Sequence, residues 1–152
     1  GDFTIEFWAR RSASDDGGFF QFSAAALDSA SGAGPGIGVN SASTVGGMYL
    51  YYGKTGALQG KDLGGTLPSV GTWFHVAYVR SSGVIQIYVD GTAYGSTTAS
   101  TVNYTDSVLT IGGWYDANYL FHGNIDEFRI SHMARYTSNF TPATEPFADK
   151  GE

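Results

Sequence analysis

The stretch of sequence that decides the fold lies at residues 73–91, which read WFHVAYVRSSGVIQIYVDG. Aromatic and β-branched residues dominate it, as they do in β-strands. Residues 81–83 form a first turn, and residues 84–89 then alternate between apolar and larger polar or aromatic side chains, with the period of a strand. Asp90-Gly91 favours a type I′ turn, because both central residues of that turn need a positive φ. The stretch therefore predicts two antiparallel strands and the start of a third.

Strand signals continue outward from this hairpin in both directions. We expect strands at residues 3–10, 19–26, 47–52, 73–80, 84–89, 108–111 and 120–130, with a short one running through Tyr94 and weak strand content near Leu63. Glycine-rich loops are expected at residues 28–38 and 112–118, one helical turn at 131–135, and an extended surface tail at 140–147. Nine or ten short strands without a repeat are typical of a two-sheet antiparallel sandwich or jelly roll, an all-β fold.

The composition supports the same fold class. Charged residues make up 14% of the 152 residues and 22 are glycine, whereas 42% are apolar. This balance disfavours both a helical bundle and a disordered chain. The net charge of −6 disfavours nucleic-acid binding. The sequence has no cysteine, which excludes thiol chemistry, and no apolar stretch long enough to suggest membrane insertion.

Five segments, taken in order, carry a resemblance to a known family: residues 1–8, 71–77, 87–91, 111–113 and 123–130. They resemble the laminin-G-like, concanavalin-A-like jelly-roll superfamily. The resemblance implies a single domain over residues 1–147, followed by a tail at 148–152, and a role in binding, adhesion or architecture. A further strand usually precedes the Gly1–Trp8 segment in such domains. Either the sheet lacks an edge here, or another part of the chain or a partner fills it. We expect the chain to be a processed product, an excised domain or part of something longer.

The end of the domain carries a narrower resemblance. Residues 134–142 read ARYTSNFTP, which looks like the close of such domains in phage and other viral tail fibres and surface appendages. This resemblance implies a virion-surface or extracellular location and neighbouring virion or surface subunits, with a homo-oligomeric assembly.

The loop after residue 111 is the first candidate binding site. Trp114, Tyr115, Asp116 and Asn118 combine aromatic rings, which stack under sugar C–H groups, with amide and carboxylate partners for hydroxyls. The alternative is that Trp114 plugs the end of the core.

A second aromatic cluster lies in the strand at residues 47–52. Tyr49 and Tyr51 share a strand face, and this face is exposed if Met48 and Leu50 belong to the core. We therefore expect Tyr49 and Tyr51 to be a second candidate ligand surface.

Asp126 is the most informative carboxylate. The alternation of strand residues places it on the face of Phe128 and Ile130, which we expect to point inward. A carboxylate there must accept backbone N–H groups, pair with an arginine or bind calcium. The resemblance implies a calcium site at a sheet rim, for which Asp2, Asp15 and Asp16 are further candidate ligands, although aspartates in turns are commonly only turn formers.

Catalytic patterns are absent from the sequence. Asp126 and Glu127 are adjacent acids that strand alternation sends to opposite faces, and no Gly-x-Ser-x-Gly elbow occurs. Trp8 and Trp73 are expected to be packing residues, and His75 a hydrogen-bonded structural histidine.

Three functions follow from these observations. The first is a non-enzymatic module that binds a glycan or a cell-surface receptor. The alternative is a purely structural virion component, an appendage or capsid decoration, that mediates assembly. A glycosidase-like enzyme would need a cleft with two carboxyl groups about 5 to 9 Å apart.

Overall fold

The computed structural model describes residues 1–14, 16–23, 34–39, 47–55, 57–105, 108–114 and 119–147. These residues contain ten strands and no helix. The strands are β1 (Phe3–Arg11), β2 (Gly17–Phe22), β3 (Gly36–Val39), β4 (Met48–Thr55), β5 (Ala57–Asp62), β6 (Trp73–Ser81), β7 (Val84–Val89), β8 (Thr92–Ala99), β9 (Leu109–Ile111) and β10 (Gly123–Ser131).

The strands form two antiparallel five-stranded sheets. Sheet A has the order β10-β1-β6-β7-β8, and sheet B has the order β5-β4-β3-β2-β9. The predicted hairpin turns are present, since Ser82 and Gly83 have φ of 50° and 76°, and Asp90 and Gly91 have 47° and 73°. The predicted all-β jelly-roll sandwich is confirmed.

The core lies between the inner faces of the two sheets and is rich in phenylalanine. Phe7 of sheet A is fully buried, with its ring 5.3 Å from that of Phe19 and 6.0 Å from that of Phe20 in sheet B. Burying one such side chain contributes about 1.5 to 3 kcal/mol. This interlocking of rings holds the two sheets face to face.

Two local predictions are wrong. Residues 36–38, expected in a loop, belong to strand β3. The indole of Trp114 lies over Gly36 and Gly38 and supplies the packing that their missing side chains do not. No helical turn forms at 131–135; β10 ends at Ser131, and the Thr4 side chain fixes the following chain instead. Its hydroxyl donates to the carbonyl of Met133 (2.8 Å) and accepts from the amide of Arg135 (2.9 Å).

The outer face of sheet A is covered by the chain after β10, which contains the predicted extended tail. Tyr136 and Phe140 stack with ring centroids 3.5 Å apart, and Phe140 packs edge-on against Tyr88 at 5.5 Å. Ala77 and Val79 of β6 complete this small apolar cluster. The chain from residue 132 to 147, here termed the C-terminal strap, therefore closes this face of the sandwich.

Beneath the strap lies a fully buried carboxylate that sequence analysis did not single out, Glu6. Arg129 donates two hydrogen bonds to its Oε1 (2.7 and 3.0 Å), Tyr136 donates to its Oε2 (2.8 Å), and Nε2 of His75 lies 3.2 Å from Oε2. Burial raises the pKa of Glu6, but hydrogen bonds from His75, Arg129 and Tyr136 outweigh burial and lower it overall. Burial, together with the hydrogen bond to Glu6, raises the pKa of Tyr136 to about 12.

Among the described residues, β10 ends sheet A and pairs with β1 alone. That another segment or a partner completes this edge stays a prediction, as does the domain boundary at residue 147. Residues 148–152 lie outside the described part of the chain.

Candidate functional site

The outer face of sheet B carries a row of three aromatic side chains, here termed the aromatic row: Tyr49, Tyr51 and Trp114. The rings of Tyr49 and Tyr51 are 4.8 Å apart, and those of Tyr51 and Trp114 are 5.1 Å apart. Met48 and Leu50 are buried in the core, so strand alternation places the tyrosines outward as predicted. The structure therefore joins two candidate sites that the sequence presents 60 residues apart into one surface.

Three glycines in two neighbouring strands, β2 and β3, form the floor under Trp114. A methyl group added at Gly18, Gly36 or Gly38 would lie 3.0, 3.4 or 2.7 Å from Cδ2, Cζ3 or Cζ2 of the indole, respectively. Because these three atoms are spread over the six-membered ring, the indole lies flat on the sheet. Glycine is required for this close approach. Trp114 is thus a surface residue that rests on the strands, and it does not plug the core.

The row forms a corner rather than a flat platform. The ring of Tyr51 stands at 87° to the indole, so the indole of Trp114 forms the base of the corner and the ring of Tyr51 forms its side. Burial raises the pKa of both Tyr49 and Tyr51, so both phenols keep their protons at neutral pH and can donate hydrogen bonds. Apolar rings with a few placed hydroxyl groups are the components of a carbohydrate site.

The remaining residues of the predicted binding loop lie outside the described residues. These are Tyr115, Asp116 and Asn118. Trp114 is the candidate residue of this loop that the structure describes, and it belongs to the aromatic row.

The predicted calcium ligands do not come together where they are described. Oδ1 of Asp2 accepts the amide of Ser82 at 2.8 Å, and Asp126 lines a different groove from Asp2. Asp16 precedes β2, and Asp15 lies outside the described residues. In the described parts of the chain, no three His, Asp or Glu side chains form a group that could hold a metal ion. Calcium needs six to eight oxygen ligands, so a calcium site stays a prediction.

The expected orientation of Asp126 is wrong. A β-bulge interrupts β10 opposite Glu6 and Trp8, and Glu127 adopts a φ of 53°. The extra residue reverses the alternation, so Asp126 is exposed while Phe128 packs against the core. Ile130, expected inside, is 43% exposed. The bulge also brings Asp126 and Glu127 into the same groove, although simple alternation sends them to opposite faces.

Comparisons with known proteins identify the fold independently. A laminin G family, described as the concanavalin A-like lectin/glucanases superfamily, matches residues 1–138. A search of curated proteins finds no match.

Three solved structures share the fold. A candidate carbohydrate-binding protein from Bacteroides ovatus is 22% identical (TM-score 0.65, 89% of this chain and 38% of that one). Domains LG4-5 of the mouse laminin α1 chain are 18% identical, with a TM-score of 0.63 over 95% of this chain and 41% of that one. Domain 4 of an extracellular arabinanase from Geobacillus stearothermophilus, solved with arabinotriose, is 18% identical, with a TM-score of 0.56 over 85% of this chain and 59% of that one. The chain thus spans less than two thirds of each of these three chains.

None of the described residues forms a helix with the length and hydropathy that crossing a bilayer requires.

Proposed function

The chain belongs to the concanavalin A-like lectin/glucanases superfamily, and from this membership we propose that it is a non-enzymatic module that binds glycans on the outer face of sheet B. The observation that carries the proposal is the aromatic row on its glycine floor. Tyr49, Tyr51 and Trp114 offer a hydrophobic corner to the C–H face of a sugar ring, and phenol groups to its hydroxyls. Two structural neighbours, one candidate carbohydrate-binding protein and one domain solved with arabinotriose, support this ligand class.

The proposal extends to the setting of the module. We place it in a virion appendage or an extracellular protein, as the residues at 134–142 suggest, with the glycan on a host or neighbouring cell surface. Single sugar sites bind weakly, and several copies in a homo-oligomer would raise the avidity.

We also propose that the rim aspartates supply oxygen ligands to a calcium ion. EDTA should then lower the melting temperature and added calcium should restore it, by the linkage of binding to folding. An unchanged melting temperature in EDTA removes calcium from the account without affecting the aromatic row.

A second candidate function, assembly within a virion, is favoured by one observation. Exposed apolar side chains gather near the edge strand β9: Val108 (46% exposed), Ile111 (47%), Tyr119 (53%) and Leu120 (51%). Open sheet edges with apolar neighbours are common contact surfaces between subunits. The same module could therefore be held by neighbours at β9.

A glycan array probed with multivalent protein tests the first function. We expect specific binding that Trp114→Ala abolishes and that Trp73→Ala, which removes another partly exposed tryptophan outside the aromatic row, retains. Silence of the wild-type protein across the array, or equal loss with both variants, would contradict glycan binding at sheet B. A concentration-dependent oligomer that Ile111→Asp disperses would then favour assembly.

A further inference from the structure

A second concave site lies on the outer face of sheet A, where β1, β6 and β10 meet the C-terminal strap. Its volume is about 380 Å³. It is lined by Trp8, Trp73, Asp126, Glu127, Thr144, Glu145 and Pro146, and we term it the Trp8–Trp73 groove. Among the described residues, two tryptophans and three carboxylates line it, and no lysine, arginine or histidine does.

The β-bulge of β10 builds one wall of this groove. It turns two consecutive acids to the same side, and each is held in place by a backbone amide. Oδ1 of Asp126 accepts the amide of Glu127 (2.9 Å), and Oε2 of Glu127 accepts the amide of Phe147 (2.6 Å). Each bond occupies one of the two carboxylate oxygens, so each carboxylate keeps a second oxygen as an acceptor.

The tryptophans form the apolar part of the groove. Trp73 is 40% exposed, and Trp8 is half-buried against His75, with ring centroids 5.5 Å apart. The guanidinium carbon of Arg10 lies 5.4 Å from the centre of the Trp73 ring. This internal contact shows that the indole of Trp73 already accepts a cation, an interaction for which tryptophan is the best of the aromatic residues.

We propose that the Trp8–Trp73 groove binds a primary alkylammonium group, of the kind that ends a lysine side chain. The aliphatic stem lies against the indoles, and the N–H donors meet carboxylates along the groove, those of Asp126, Glu127 or Glu145. The three carboxylates that line the groove repel an anion. This site is independent of the proposed glycan face.

The test uses n-butylammonium chloride as the probe, with EDTA present so that no divalent cation competes. NMR spectra follow the indole N–H signals of Trp8, Trp73 and Trp114 during the titration. We expect the first two signals to shift with a dissociation constant on the order of 1 mM, and the third to stay in place. n-Butanol, which has the same stem without charge, should not bind, and tetramethylammonium, which lacks N–H donors, should bind at least about threefold more weakly.

Three variants distinguish this site from general attraction by an acidic protein. The double variant Asp126→Asn/Glu145→Gln should weaken butylammonium binding about three- to tenfold. Asp2→Asn removes a carboxylate about 20 Å away along β1 and should leave the affinity unchanged. Arg10→Gln removes the internal cation from Trp73 and should strengthen binding about two- to threefold.

Several outcomes would overturn the proposal. Equal shifts with n-butanol would make the groove merely apolar, and equal weakening by Asp2→Asn would make the attraction nonspecific. No shift of the Trp8 or Trp73 signals, or a preference for a methyl hexoside over butylammonium, would also refute it. Failure here leaves glycan binding at Trp114 untouched.

Discussion

The outer faces of the two sheets use their residues in opposite ways. Sheet A places a buried carboxylate, Glu6, on its outer face and covers it with the C-terminal strap. Sheet B places glycines on its outer face and covers them with one flat indole, that of Trp114. The first arrangement satisfies a costly polar group and closes the face, whereas the second leaves a half-buried aromatic surface toward solvent. The outer face of sheet A therefore contributes chiefly to stability, and the outer face of sheet B is the one expected to bind the glycan.

The largest difference between the two faces should appear when the buried carboxylate of Glu6 is removed. Glu6→Ala leaves the Arg129 guanidinium and the Tyr136 hydroxyl without their acceptor, and we expect it to lower the free energy of unfolding by about 3 kcal/mol. Urea denaturation measures the loss. Glu145→Gln, which changes an exposed acid within the strap, is the control and should change stability by less than about 0.5 kcal/mol. A similar small effect of Glu6→Ala would show that the hydrogen bonds to Glu6 do not hold the strap in place.

The next largest effect is expected on the opposite face, at the glycine floor. Gly38→Ala places a methyl group 2.5 Å from the carbonyl oxygen of Gly17 and 2.7 Å from the indole of Trp114, so both must move. We expect a loss of about 2 kcal/mol, measured by urea denaturation, together with weaker glycan binding. Gly36→Ala, whose nearest contacts are 3.3 and 3.4 Å, is the matched variant and should cost less. Equal costs at the two positions would contradict the flat placement of the indole.

Two groups on the outer face of sheet A, Glu6 and Tyr136, should contribute to the pH dependence of stability. The lowered pKa of Glu6 stabilises the folded state above about pH 4.5, and this contribution is lost as the pH falls through the folded-state pKa. The pKa of Tyr136, raised to about 12 from an ordinary value near 10, gives stability that is lost as the pH rises between these values. Tyr136→Phe should cost about 1 kcal/mol at neutral pH and flatten the alkaline part of the curve. An unaltered alkaline limb in a pH series of denaturation curves would refute this origin.

The smallest effect on stability should accompany a measurable effect on binding. Tyr49→Phe removes a hydroxyl from a half-buried ring, and we expect the free energy of unfolding to change by less than about 0.5 kcal/mol. Glycan affinity should fall about three- to tenfold, because one hydrogen bond to a sugar hydroxyl is lost. Titration calorimetry with a glycan from the array measures this change. Unchanged affinity would limit the site to Tyr51 and Trp114.

The sequence predicts the sandwich well because its strands alternate regularly and its turns contain Asp-Gly and Ser-Gly pairs. It fails at β3, where alternate glycines look like a loop until Trp114 is placed over them. It fails again at Asp126, because a bulge shifts the alternation and a bulge has no strong local signature when the residue with positive φ is Glu127.

The candidate site was predicted in two parts, and only the fold joins them. Tyr49 and Tyr51 follow from strand alternation, and Trp114 from the composition of its loop. Their contact depends on the long-range pairing of β3 with β2 and β4, which composition and periodicity do not specify. The Glu6 cluster was missed for the same reason, since Arg129 and Tyr136 lie more than 120 residues away along the chain.

The central claim is that sheet B carries the glycan site and that the strap closes sheet A. The most direct test follows the three tryptophan indole N–H signals by NMR while the best glycan from the array is added. The account predicts that the Trp114 signal shifts and saturates while those of Trp8 and Trp73 remain fixed. A shift at Trp8 or Trp73 with Trp114 unchanged would place the glycan on sheet A and contradict the account.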